Sequence, residues 1–410
     1  MATEKRNTEI VISTDPGFDS IKVTSENRCM FKIAKEVVDI TDKGNLFLGE
    51  QDEDFIKISN LIKGKEHLVG VSAAKYLNET KLDENEGAEE RALVSDTFAT
   101  FESIENQVRI MAGIGMALIR LSNNDDNIIS LKDIKSEDGV AVKEVVTTQA
   151  NLHIGVALPH DAVEKEWGYI NSWLKGNHTF TIETNGTRYN FNIETNNLYP
   201  ASQVVVALLG AISDDEGKVN INEGFLTKDE CPAIVIDGGY KTVGKFVFTS
   251  IQTVSDGESN QEYAMKNIHE KVAKIIQDEY YRPDVNSRMV KRAVEENAEL
   301  NYLSPDHSKG GTINVKELVE TELTNVCQQL LNELMDKYNN LLNIKSILFT
   351  GGTGAAYYGT FKKLLKENNI TWLDGKVKLT EYKFLGKSIS PEYAISVGLY
   401  KAIKQKIFCS

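Results

Sequence analysis

Cysteine is scarce in this chain: four in 410 residues, Cys29, Cys231, Cys327 and Cys409, with no C-x-x-C spacing. That usage excludes a disulfide framework and suits a reducing compartment. The six histidines include no H-E-x-x-H, so no structural metal site is expected. Long apolar runs are missing too. The longest, "VVVALLGAI" at 204–212, falls far short of the roughly 18–20 residues that span a bilayer. The start, "MATEKRNTEIVIS", has no apolar signal core, and a cytosolic protein is expected. Basic charge is in deficit, with 46 Lys+Arg against 60 Asp+Glu and a net charge of −14. A surface that grips a polyanion draws its affinity from Lys and Arg, so direct nucleic-acid binding is not expected. Contact with DNA would need a basic partner.

What remains is the composition of an ordinary globular chain, 41% hydrophobic and 26% charged, long enough for two domains with separate cores. No tandem repeat and no low-complexity linker interrupts it. "EIVISTD" and "SIKVTSEN" read as a hairpin, and "CMFKIAKEVVDI" as a third strand. Residues 52–90 are polar and irregular and end in the acidic "LDENEGAEE", which reads as a solvated loop. Apolar spacing predicts a core-packed helix over 98–121, a strand at "NLHIGVALP" and a helix over 161–175. In "HTFTIETNGTRYNFNIE", Phe180 and Ile182 alternate opposite Tyr189, Phe191 and Ile193 around Asn185-Gly186, the signature of a tight hairpin. "QVVVALLGAI" is a helix or a buried strand. Residues 262–345 are mostly helical, and a last helix follows Pro391.

Three strand-plus-glycine-turn units lie far apart: "TDPGFDSIK" at 14–22, "IDGGYKT" at 236–242 and "FTGGTGA" at 349–355. The first two place an Asp at the end of an apolar run and a Gly two residues later. Glycine lets backbone approach a ligand, and successive N–H groups in a turn form an anion-binding concavity. A carboxylate repels phosphate but can hold the water shell of Mg²⁺. One such unit alone is most often a plain β-turn. The matched pair, with a glycine turn opening a helix behind it, is far more specific. Rival phosphate motifs fail: "GKS" at 386–388 lacks the Walker glycine because position 381 is Glu, and neither a Rossmann G-x-G-x-x-G nor a G-x-S-x-G occurs.

Together these units resemble the phosphate-1, phosphate-2 and adenosine motifs of the actin/Hsp70/sugar-kinase ATPase superfamily. Within it the chain is similar to ParM-type bacterial actins of plasmid segregation. The Asp15-to-Lys22 spacing and the segment "GVALPHDAVEKEW…TFTIETNGTRYNFNIETNNLYPAS" carry that likeness. The resemblance implies an α/β, actin-like ATPase fold of two domains, each a mixed β-sheet flanked by helices, with nucleotide in the interdomain cleft. Domain I would be 1–203 with a smaller subdomain at about 41–95, and domain II 204–410 with a helical subdomain at about 255–343. ATP, with GTP as the alternative, and Mg²⁺ would be the cofactors.

The resemblance also assigns residues. Asp15 would order Mg²⁺ through water, the turn of Gly17, Phe18, Asp19 and Ser20 would cradle the β/γ-phosphates, and Lys22 would contact phosphate, with the Asp19 side chain turned away. Asp237 would act on Mg²⁺, through water, or on the attacking water, with Gly238, Gly239, Tyr240, Lys241 and Thr242 forming the opposite loop. Gly351, Gly352, Thr353 and Gly354 would lie against adenine and ribose, and Arg288, Lys291 or Glu295 would add base or ribose contacts. The family's water-positioning Glu or Gln follows a proline, yet here Ala201 follows Pro200. Gln203, two residues on, is the expected substitute, with Asp237 as the alternative holder of the water. The implied function is an ATPase that forms nucleotide-dependent filaments with itself and moves plasmids through a ParR-like DNA-binding adaptor, without a membrane. The alternatives are a sugar-type small-molecule kinase and a cell-shape or division actin.

Overall fold

In a computed structural model the chain divides into two compact units. One comprises Met1–Asn220, Lys383–Ile389 and Tyr393–Ser410, and the other Ile221–Tyr382 and Ser390–Glu392. The structure describes residues 8–17, 19–43, 55–83, 101, 103–124, 129–134, 136, 140–147, 150–219, 231–250, 253–304, 310–373 and 375–408.

The first unit begins with β1 (Thr8–Pro16), β2 (Ser20–Ser25), β3 (Met30–Ala34) and β4 (Val37–Asp39). It continues with β5 (Lys57–Ser59), β6 (Glu66–Val69), α1 (Val71–Asp83) and α2 (Ile104–Asn124). Next come β7 (Ser130–Ile134), β8 (Ala141–Val146), β9 (Ala150–Leu158) and α3 (Val163–Leu174). The hairpin β10 (Gly176–Thr184) and β11 (Thr187–Thr195) leads through β12 (Asn197–Ser202) into α4 (Gln203–Ile212).

The second unit holds β13 (Ala233–Gly238), β14 (Val243–Ser250), β15 (Thr253–Asn260), α5 (Met265–Glu279) and α6 (Ser287–Glu295). It ends with the pair β16 (Leu300–Leu303) and β17 (Gly310–Ile313), then α7 (Val315–Lys337), β18 (Ser346–Thr350), α8 (Gly354–Glu367) and β19 (Val377–Leu379). The short pair β20 (Lys383–Phe384) and β21 (Lys387–Ser388) and the helix α9 (Ala394–Phe408) then rejoin the first unit.

In the first unit the sheet order is β12-β9-β1-β2-β3, so β1 is its central strand, parallel to β9 and antiparallel to β2. A strand covered on both faces reads as a continuous apolar run, which is why "IVI" shows no alternation. The period of two survives in what each residue meets. Ile10 and Ile12 join the core built on Val108, Met111 and Leu118 of α2, whereas Val11 joins the cluster of Val397, Leu399 and Ile403 from α9. Buried Ser13 donates to the Ser396 carbonyl of α9 at 2.6 Å. A second sheet runs β4-β6-β5-β10-β11-β8-β7. Its long hairpin has the expected register, with Phe180 opposite Phe191 and Ile182 opposite Tyr189. Asn185 and Gly186 turn the chain at φ +49° and +65°. In the second unit β15-β14-β13-β18-β19 form the sheet, and α5, α7 and α8 contribute to a separate core with Ile234, Ile236 and Phe349.

Four expectations are corrected. The boundary at 203/204 fails because α4 and α9 pack together in the first unit. A Cβ on Gly210 would sit 2.9 Å from the Gly398 Cα, so the two helices meet backbone to backbone. Buried Lys401 of α9 then donates to the Gly210 and Ser213 carbonyls at 3.2 and 2.7 Å, closing the C-terminal end of α4. The loop expected over 52–90 contains β5, β6 and α1, because short strands bury Ile58, Leu68 and Val69 without a long periodic signal. The acidic run beyond Asp83 and the parts of the 41–95 subdomain at 44–54 and 84–95 lie outside the described residues. The third strand breaks at Lys35–Glu36 into β3 and β4, which belong to different sheets. The core helix starts at Ile104 rather than 98.

The α4–α9 contact leaves no room for a side chain, since a Cβ on Gly398 would overlap the Val206 carbonyl oxygen. Gly398→Ala is expected to cost about 1–3 kcal/mol, as overpacking of a close contact does. Thermal or urea unfolding checks it, and a variant as stable as the parent would show that the helices separate freely.

Candidate functional site

The first unit presents one constellation at the end of its central strand. The hairpin sets Asp15 opposite Lys22, whose Nζ lies 4.0 Å from Asp15 Oδ2. The Gly17 N–H donates to the Asp15 carbonyl at 2.8 Å and tightens the turn. Parallel pairing of β12 on β9 and of β9 on β1 carries the start of α4 to the same end of the sheet. There Gln203 Nε2 donates to Asp15 Oδ1 at 2.9 Å. Ala201, paired with Ala157, packs against the α9 cluster instead. Ser20 is buried and Asp19 exposed, its carbonyl accepting from the Lys35 N–H at 3.1 Å. Phe18 lies outside the described residues.

Asp15 is only 2% exposed. Burial pushes its carboxyl up, against the pull of Lys22, the Gln203 hydrogen bond and Arg109. The geometry therefore surrounds one buried acid with an amide donor and two cations.

The second unit presents the other constellation. Asp237 sits on β13 opposite Gly244 and beside Thr350 of β18. The Gly239 N–H donates to the Thr242 carbonyl at 3.0 Å, which closes the turn containing Tyr240 and Lys241. The "GGTG" turn packs on it, with the Thr353 N–H donating to the Gly238 carbonyl at 3.0 Å and Thr353 Oγ1 to the Gly239 carbonyl at 3.4 Å. Gly351 has φ +83°, and a Cβ there would lie 2.5 Å from the Gly238 oxygen and overlap Asp237 Oδ1. Only glycine fits such a crossing. Gly352 is exposed, and Gly354 opens α8, whose first N–H groups have no partner within the helix.

Tyr240 extends this constellation toward the helices. Its carbonyl accepts from the Lys266 N–H at 2.7 Å, and Lys291 Nζ stands 4.7 Å over its ring. Glu295 lies one turn further along α6, 3.9 Å from Lys291. The structure thus brings Tyr240, Lys291 and Glu295 to the Asp237 turn. Arg288 is exposed in the first turn of α6, where Asn286 caps its backbone N–H.

Three neighbours were not singled out from the sequence. Tyr382 bonds the Thr350 hydroxyl beside Asp237, and burial pushes its phenol up to about 12. His269 of α5 lies 5.8 Å from the Tyr240 ring, and its Nδ1 makes no hydrogen bond among the described residues. Arg109 of α2 is buried against the Gly17 turn, where its Nη2 donates to the Gly17 carbonyl at 2.6 Å. The only signal available for it was that "VRIMAGIGMALI" carries a single charge.

Burial, followed by the charge of Lys291, lowers His269 from 6.5 to about 4. The unfolded chain therefore takes up this proton first. Its contribution to stability is fully present above about pH 6.5 and is lost as pH falls toward 4, by roughly 2–3 kcal/mol. Denaturant unfolding of wild type and His269→Leu across pH 7.5 to 4.5 should show a wild-type slope that the variant lacks.

No protein-family model matches the sequence, and a search of curated protein sequences finds no relative. Solved structures do match. Actin-like protein Alp7A superposes with a TM-score of 0.66 at 12% identity, covering 98% of this chain and 97% of that one. A ParM from a 15-stranded Clostridium botulinum filament gives 0.61 at 17% identity, with 97% and 99% covered. Bacillus thuringiensis ParM, solved with ATP, gives 0.58 at 14% identity, with 98% and 100% covered. Among the described residues no helix is long and apolar enough to cross a membrane. The two sheets that carry the Asp15 and Asp237 hairpins belong to a chain with the actin-like fold that Alp7A and ParM share.

Proposed function

We propose that this chain is an ATPase that assembles into filaments with ATP bound, disassembles after hydrolysis, and moves plasmid DNA in the cytoplasm through a basic, ParR-like adaptor. The observation that carries the proposal is the repeated Asp-x-Gly hairpin, Asp15 in one unit and Asp237 in the other, on a fold shared with ParM filament proteins. The net charge of −14 favours a basic adaptor over direct contact with DNA.

The residues fit a magnesium-bound polyphosphate. Gly17, Gly238 and Gly351 stand where a Cβ would meet neighbouring atoms, so backbone is bare at each turn, and two carboxylates offer the oxygen chemistry that Mg²⁺ prefers. Bound Mg²⁺ would neutralise phosphate charge. Asp15 would hold a water of the metal's shell, and Lys22 would face phosphate. The Gln203 amide turns its NH₂ to Asp15, which leaves its carbonyl oxygen to orient an attacking water. Asp237 would polarise that water or hold the metal's shell from the second hairpin. Gly238, Gly239 and Thr242 would receive phosphate, Gly351 to Gly354 would receive adenosine, and Tyr240, Lys291 and Glu295 would line the base. The base contacts decide between ATP and GTP. For hydrolysis to break the filament, ATP and ADP must bind two conformations with different affinities.

Light scattering with ATP, ADP and no nucleotide tests the assembly. Scattering should rise with ATP and fall as ATP is consumed. A flat trace across protein concentrations and salts would end the filament reading, and phosphorylation of an added sugar would point to a kinase. For the site, Asp237→Ala should lower ATP turnover about a hundredfold. Unchanged turnover would reduce the second hairpin to a turn.

A further inference from the structure

Arg109 is a costly residue for its place. It lies on α2 between Val108 and Ile110, both fully buried, and is itself 7% exposed. Its Nη2 donates to the Gly17 carbonyl at 2.6 Å and its Nη1 to Asn106 Oδ1 at 3.0 Å, while Nε makes no hydrogen bond among the described residues. A buried cation pays a desolvation penalty that an apolar side chain of similar volume avoids, so stability alone does not account for it. Burial lowers the guanidinium to about 10, although Glu36, Asp15 and Asp19 all pull the other way.

We propose that Arg109 is a positioning residue for polyphosphate binding, holding the Gly17 carbonyl inward so that the Asp15 turn can receive an anion. The inference rests on the nucleotide reading of that turn. A carbonyl oxygen facing a phosphate repels it, and in a tight turn each peptide unit must direct its oxygen one way or the other. The guanidinium fork ties this oxygen to α2 at one point while Asn106 fixes the fork at another, which a flexible ammonium does less well. The same cation lies under a turn whose own side chains include the acids Asp15 and Asp19, and it offsets their charge toward an incoming polyphosphate. Lys22 reaches the turn from the neighbouring strand, so Arg109 and Lys22 act from different elements on one loop.

The test is ATP affinity, by equilibrium titration with a fluorescent analogue, alongside thermal unfolding without nucleotide. Arg109→Met should bind about tenfold to a hundredfold more weakly, the worth of a charged hydrogen bond, while its nucleotide-free unfolding temperature is unchanged or higher. Arg109→Lys should recover part of the affinity. A structural role alone predicts lower unfolding temperature with affinity retained, and Arg109→Met binding ATP like the wild type overturns the inference. If Arg109→Met does not fold, Arg109→Lys and Asn106→Ala decide: each should weaken binding about threefold or more, and wild-type affinity in both overturns it. Wild-type protein that binds no nucleotide would overturn the reading beneath it, a result distinct from tight binding that Asp15→Ala abolishes and Arg109→Met leaves intact.

Discussion

A carboxylate buried at the end of the central strand is the constraint around which the first unit is organised. Asp15 is almost wholly buried, and its carboxyl is met by protein groups, each delivered by a different element. Lys22 comes from the partner strand of the hairpin, Gln203 from the first residue of α4, and Arg109 from the apolar helix on one face of the sheet. These deliveries explain the order of the strands. Gln203 reaches Asp15 only because β12 lies beside β9 and β9 beside β1, all parallel, so that their C-terminal ends coincide. The position of α9 follows, since the face of β1 opposite α2 needs a cover and "AISVGLYKAIKQ" supplies one.

The second unit places its acid beneath a second turn. Asp237 is half-buried, and the loop that crosses it carries Gly351 at the point where a Cβ would strike its carboxylate. The two turns therefore differ in kind despite a shared Asp-x-Gly spelling. The first is propped from beneath by an arginine, and the second is clamped by another turn.

The parts of the fold legible in the sequence are those with strong local patterns. The Asn185-Gly186 hairpin, both Asp-x-Gly hairpins, the strand–turn–helix at "FTGGTGA" and the long helices of the second unit all stand where periodicity and turn chemistry put them. The misreading of 52–90 has a physical cause. β5 and β6 are three and four residues long, and such short strands exist because neighbours in the sheet bury Ile58 and Leu68. No window of the sequence holds that information. Assigning α4 and α9 to a second domain failed for a related reason, since chain order says nothing about which helix finds a glycine to rest on 188 residues away from Gly210.

The sequence by itself determined the site's vocabulary: two acids after apolar runs, a lysine seven positions from the first, and glycines wherever backbone must come close. These are local properties, fixed by what each residue type can do at a strand end. Tertiary structure alone decided that Gln203 rather than Ala201 meets Asp15, that Lys291 stands over Tyr240, and that Arg109 lies beneath Gly17. Each of those contacts joins residues 51 to 188 positions apart, and only the pairing of strands and the burial of helix faces sets such distances.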